Sequence, residues 1–145
     1  MMKRRIQMKS FHVMFVALIL ASTLAWAGSV KVIANSSVSA SAVSSDELKS
    51  VFLEEKNSLA DGSHVEPVLA KGGAVHEAFV KQYLDKSDAA LQTYYRSLVF
   101  TGKGSMPKAV GSDAEMVSYV AKTKGAIGYV SPEASAEGVK TLEVK

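Results

Sequence analysis

The chain contains no cysteine, which excludes disulfides, thiolate metal sites, a cysteine nucleophile and lipid attachment through an N-terminal cysteine. Histidine is scarce, three in 145 residues, and the two beyond the leader, His64 and His76, are too few and too far apart in sequence to suggest a metal site. No Gly-x-Ser-x-Gly, His-Glu-x-x-His or Gly-x-x-x-x-Gly-Lys-Ser/Thr pattern occurs, and no nucleophile can be paired with a base, so the sequence predicts neither an enzyme nor a cofactor. The apolar run over residues 13–27 holds 15 positions, includes Ser22 and Thr23, and falls short of the roughly 18 needed to span a bilayer.

What is present begins with an address. Lys3, Arg4, Arg5 and Lys9 precede that apolar run, and Ala25-Trp26-Ala27 closes it. A basic region, an apolar region and a small-residue Ala-x-Ala site in this order predict a secretory signal peptide cleaved after Ala27, and hence a periplasmic protein with no stable membrane span after cleavage. The formal charge of +3 belongs to this leader. Residues 28–145 carry 13 basic and 14 acidic groups, a net charge of −1, and no dense Lys/Arg stripe, which argues against nucleic-acid binding. Hydrophobic residues make up 48% and charged residues 21% of the chain, and the length supports a single domain with a packed core over residues 28–145.

Within that domain strands and helices alternate. Residues 29–34 read as a short β-branched strand ending at the Asn35-Ser36-Ser37 turn. The serine-rich residues 36–45 read as a loop leading to a helix, since Ser44 and Glu47 form a capping-box pair and Leu48, Val51 and Phe52 follow at helical spacing. Glu54-Glu55 is a solvated helix end. Residues 64–69 predict a second strand, with His64 on its surface and Pro67 at an edge or end position. A helix follows the Lys71-Gly72-Gly73 break, with Val75, Phe79, Val80, Tyr83 and Leu84 on one face. Ser87 caps a third helix with Leu91, Tyr94, Tyr95, Leu98 and Val99 on its buried side; the tyrosine pair reads as core packing. Ser112 and Glu115 predict a second capping box before a fourth helix that Gly125 ends. Residues 126–130 are apolar enough for a strand covered on both faces, and residues 139–144 give a weaker last strand. Interleaved strands and helices indicate an α/β layered sandwich.

The candidate site is Lys71-Gly72-Gly73-Ala74-Val75-His76. Glycines let a backbone approach a ligand closely, free amides at a helix start point outward, and the positive end of the helix dipole favours an anion to which Lys71 adds a charge. The alternative reading is an ordinary strand-to-helix turn.

Three segments resemble the phosphate-binding proteins of ABC transporters, specifically short relatives that match one lobe of the periplasmic binding fold. Val51-Phe52-Leu53 through Asp61-Gly62 is similar to an Ile-Phe-Leu-Gly-Lys…Trp-x-Asp-Gly segment, with Glu54 at the family's Gly and Leu59 at its Trp. Leu98-Val99-Phe100-Thr101-Gly102-Lys103-Gly104 resembles the segment after the family's third helix. Gly125-Ala126-Ile127-Gly128-Tyr129-Val130 is the most specific match. The resemblance implies a three-layer αβα sandwich like one lobe of a type II periplasmic binding protein, and an exported, non-enzymatic domain binding phosphate or a related oxyanion at a helix N-terminus. It also implies an ABC transporter permease as partner, or a second lobe or homodimer to complete the cleft. Full-length relatives carry an Arg-Ser-x-Gly-Ser-Gly-Thr type loop where this chain has residues 70–76, so the arginine and hydroxyls are missing. The resemblance adds Ser36 and Ser37, whose turn is expected to bring a hydroxyl to the same crevice. The alternative function is a periplasmic interaction module that has kept the fold and lost the ligand.

Overall fold

A computed structural model describes residues 30–145; the predicted leader, residues 1–27, lies outside the described residues. The elements run β1 (Lys31–Ala34), β2 (Ala42–Val43), α1 (Ser45–Phe52), β3 (Glu66–Ala70), α2 (Ala74–Leu84), α3 (Asp88–Phe100), β4 (Lys108–Val110), α4 (Asp113–Lys122), β5 (Ala126–Val130) and β6 (Lys140–Val144). The strands form a six-stranded sheet in the order β2-β6-β1-β5-β3-β4. β3 is parallel to both β4 and β5, whereas β1 is antiparallel to β5 and β6.

Because side chains alternate across a strand, each central strand feeds two cores. Val32 and Ala34 of β1, Leu69 of β3, and Ile127 and Tyr129 of β5 face one apolar cluster with Leu48, Phe52, Phe79 and Leu91, contributed by α1, α2 and α3. Ile33, Val68, Ala126 and Val130 face the other, with Met116 and Val120 of α4. The result is the expected three-layer αβα sandwich. Gly128 has a packing reason: a Cβ there would lie 2.5 Å from Met116 Sδ, so the bare backbone lets α4 settle on β5.

Local chemistry accounts for most boundaries. Ser44 Oγ accepts from Glu47 N at 3.1 Å, and Glu47 Oε2 accepts from Ser44 N at 3.1 Å, the predicted reciprocal cap. At α4 the expectation is half met. Ser112 Oγ accepts from Glu115 N, but Glu115 Oε2 reaches Gly111 N at 2.8 Å. Pro67 is near the start of β3, at a residue paired with β5 but not with β4, so its missing donor costs the sheet nothing.

Other expectations are corrected. The loop over residues 36–45 contains β2, two residues paired to β6, and the three-residue β4 was not foreseen; both are too short to carry a periodic signal. His64 is exposed as expected but precedes β3, in an isolated bridge with Ser58. On α2 the buried set is His76, Phe79, Val80 and Leu84, with Val75 and Tyr83 half-buried at its margin. On α3 only Leu91 and Tyr95 are fully buried; Tyr94 and Leu98 are half-buried and Val99 faces solvent. The tyrosine pair does pack inward: Tyr95 Oη donates to Phe52 O at 2.5 Å and Tyr94 Oη to Leu53 O at 2.7 Å. These bonds satisfy carbonyls that the end of α1 leaves without helical partners.

Candidate functional site

Parallel strands place their carboxyl ends together, and in open α/β sheets that edge is where ligands bind. Here β3 ends at Ala70, β4 at Val110 and β5 at Val130. The three following loops are stitched together: Lys71 N donates to Val110 O at 2.9 Å, and Ser131 Oγ donates to Asp113 Oδ2 at 2.6 Å. Two helices, α2 and α4, start on this edge.

Their N-termini differ. At α4, Ser112 caps, Glu115 takes the Gly111 amide, and Asp113 adds a second carboxylate. That end already carries its negative charge. At α2 the N-cap is Gly73, with no side-chain cap, so the amides of Ala74 and Val75, in residues that are exposed and half-buried, have no capping partner. Gly73 has φ 95° and ψ 173°, a region essentially restricted to glycine. Added Cβ atoms at Gly72 and Gly73 would meet nothing within 4 Å, and Lys71 through Ala74 are exposed. The turn therefore presents open backbone beside one lysine, with Glu77 as the acidic group in the first helical turn.

His76 is turned inward. It is 1% exposed, with Nδ1 2.5 Å from Tyr129 Oη and Nε2 2.8 Å from Asp88 Oδ1. Tyr129 Oη also accepts from Ala70 N at 2.9 Å. With both ring nitrogens engaged, the imidazole holds the glycine turn against β5 and α3. Tyr129 and Asp88 were not foreseen as supports of the turn; the signal for Tyr129 is its place in Gly-Tyr-Val, facing the α2 side of the sheet.

Ser36 and Ser37 are not brought to this site. β1 runs antiparallel to β5, with Ala34 opposite Ile127, so the turn after β1 lies at the opposite edge of the sheet from Lys71-Gly72-Gly73. Its polar groups have structural partners there. Asn35 Nδ2 donates to Val120 O and Ala121 O at the end of α4, Asn35 Oδ1 accepts from Ser37 N, and Ser37 Oγ accepts from Gly125 N at 2.9 Å. Ser36 is exposed. Concavities of about 680 Å³ along Glu77, Lys81, Asp85 and Asp88 and about 610 Å³ along α4 and the loop after β5 are lined by none of residues 70–76. Among the described residues no cluster of three or more His, Asp or Glu could hold a metal ion, and no helix is long and apolar enough to cross a membrane.

No protein-family model matches the chain, and no curated protein matches it. Solved structures do. An ABC-type phosphate transport receptor from Vibrio cholerae matches with a TM-score of 0.54 at 12% identity, over 79% of this chain and 45% of the receptor. A putative phosphate ABC transporter substrate-binding protein with bound phosphate from Clostridium perfringens matches at 0.59 and 12%, over 79% and 44%. PstS from Borrelia burgdorferi matches at 0.60 and 11%, over 80% and 47%. The chain thus spans less than half the length of each of these proteins, and its fold is that of one lobe of a phosphate-binding periplasmic protein.

Proposed function

We propose that this chain is an exported, non-enzymatic solute-binding-like domain that takes phosphate or a related oxyanion weakly at the N-terminus of α2. The supporting observation is the contrast between two helix starts on one sheet edge: α4 is capped and acidic, whereas α2 is uncapped, glycine-opened and next to Lys71. The ligand contacts are the amides of Gly73, Ala74 and Val75 and the Lys71 ammonium, over a backbone that Gly72 and Gly73 leave bare. Ser36 and Ser37 take no part. The likeness to transport receptors supports binding rather than catalysis.

Magnitudes set the affinity. An anion at one helix N-terminus gains roughly 0.3–2 kcal/mol, and a charge-assisted hydrogen bond about 1.5–3 kcal/mol. A millimolar Kd needs about 4.1 kcal/mol and a micromolar one about 8.2. One lobe with one turn therefore reaches the millimolar range; tighter capture needs a second surface over the carboxyl edge, from another copy of this chain or a partner lobe, before handover to an ABC transporter permease.

Calorimetry with phosphate and sulfate tests the reading. Millimolar binding of both, weakened by Lys71→Gln and by Gly73→Ala, is expected; no heat and no thermal shift at about 10 mM ligand would sink it. That negative result favours the second reading, an interaction module that keeps the fold without the ligand, which the internal bonding of His76 and the displacement of Ser36 and Ser37 support. Export is checked separately: protein recovered from the periplasm should begin at Gly28.

A further inference from the structure

A cavity of about 360 Å³ lies between the end of α1, the start of β3 and the loop that leads from α3 into β4. Lys108 begins β4 and Glu66 begins β3, so the cavity is at the amino edge of the sheet, away from the glycine turn. Its size is at the lower end of the range that holds small organic ligands. Glu54 and Glu66 are on its wall, with Met106 and Tyr119. Met106 is one of three large apolar side chains exposed among the described residues, at 48%, and it sets an apolar surface next to the carboxylates.

Glu54 is a carboxyl without a counter-charge. The ion pairs among the described residues are Lys49 with Asp85, His64 with Glu66 and His76 with Asp88, and none includes it. Burial and the neighbouring Glu66 hold its carboxyl above the ordinary range. The two lysines on the same wall act elsewhere: Lys56 on the Glu47 carboxyl, and Lys108 through an ammonium that stands over the Tyr119 ring, 5.6 Å from its centre. His64 Nε2 is 3.7 Å from Glu66 Oε1, beyond hydrogen-bond length. Glu54 also holds a left-handed backbone at φ 60° that glycine adopts at lower cost; the carboxyl is what glycine does not provide.

We propose that this cavity binds a small organic amine, its ammonium shared by Glu54 and Glu66 and its short apolar stem along Met106. An ammonium has three donors for the carboxylate oxygens and offsets both the burial and the repulsion at Glu54. A metal ion fits less well: among the described residues no group of three or more His, Asp or Glu could hold one, and hard cations take about six or more oxygens. An anion would face two carboxylates. The site does not rest on the glycine turn at the opposite edge, and phosphate should not occupy it.

Methionine methyl groups labelled with carbon-13 read the cavity directly in the full chain. Titration with n-butylammonium chloride should move the Met106 methyl signal saturably, with a Kd on the order of millimolar. The Met116 methyl, buried in the core beneath α4, should stay still and verifies the fold of each variant; Met106→Leu and Met116→Leu assign the two signals. Glu54→Gln should weaken binding roughly tenfold or more, and Glu66→Gln should weaken it as well. Glu55→Gln, at an exposed neighbour that does not line the cavity, should leave it unchanged. The uncharged analogue n-butanol should give no saturable shift. The proposal is overturned by no Met106 shift up to about 100 mM amine, by an equal shift with butanol, by equal shifts at Met106 and Met116, by undiminished binding in Glu54→Gln, or by calcium chloride or potassium phosphate producing the saturable shift in place of the amine. Failure of phosphate calorimetry at the glycine turn leaves this result standing, because the readout lies at the other edge.

Discussion

His76 Nδ1 lies 2.5 Å from Tyr129 Oη, and the hydrogen-bond inventory fixes the role of the opposite ring nitrogen. Asp88 Oδ1, 2.8 Å from Nε2, is a carboxylate oxygen that only accepts, so Nε2 donates there, and Tyr129 Oη accepts from the Ala70 amide. A single chain of bonds runs from the end of β3 through β5 and α2 to the start of α3. It fixes the glycine turn from beneath while the turn's outer face stays open.

Tyr129→Phe tests that chain. The ring stacks on Phe79 at 3.8 Å between centroids, and phenylalanine retains this stacking. What is lost is the hydroxyl, leaving the Ala70 amide and His76 Nδ1 without partners, at a cost of about 1–3 kcal/mol. Urea unfolding should show a lowered midpoint with an unchanged slope; an unchanged midpoint would mean that water replaces the hydroxyl fully.

Alkaline pH should weaken the fold through two tyrosines. Burial pushes the phenols of Tyr95 and Tyr129 well above their ordinary value of 10.0. For a raised acid the unfolded chain ionises first, so stability is intact below about pH 10 and falls as pH rises beyond it, by about 1.4 kcal/mol per pH unit for each group. Denaturant midpoints measured between about pH 9 and 11 should fall in this way. Tyr95→Phe should reduce the slope by about half, although it also removes the bond to Phe52 O.

Gly125 ties the turn after β1 and the start of β3 to the start of β5. Its φ is 77°, and a Cβ would sit 2.8 Å from His64 O. Its amide meets Ser37 Oγ, and its carbonyl accepts from Glu66 N at 2.8 Å. Gly125→Ala adds left-handed strain of about 1–2 kcal/mol to a backbone clash, so a loss of at least about 2 kcal/mol is expected in thermal or urea unfolding. A loss no greater than that of Gly62→Ala, where φ is 86° with open space around it, would show that the clash is relieved at no cost.

Residues 44–52 were legible because cap, helical period and burial agree, and residues 126–130 because both faces of β5 are covered. The end of α3 was not. Leu98 and Val99 continue an apolar pattern, and a pattern cannot distinguish a core face from an exposed one. The site was legible in part for a related reason. Glycine and helix position follow from local sequence, but whether Ser36 and Ser37 join Lys71 depends on the direction of β1 against β5. No local signal encodes that direction.

One position on α1 joins sequence resemblance to backbone energetics. Leu53 is the C-cap; Glu54 N donates to Val51 O at 3.1 Å and Glu55 N to Ser50 O at 2.9 Å, the paired bonds of a Schellman motif whose left-handed position prefers glycine. Glu54 occupies it at φ 60°, where the resembling sequences have Gly. Its carboxyl is also held above the ordinary range by burial and by Glu66. Glu54→Gly removes left-handed strain of about 1–2 kcal/mol, offset by about 0.5–1 kcal/mol of glycine chain entropy, for a net stabilisation near 0.5–1 kcal/mol. Glu54→Ala removes the charge and keeps the strain. Urea midpoints should rank Gly above Ala; the reverse order would mean that glycine's chain entropy outweighs the left-handed strain.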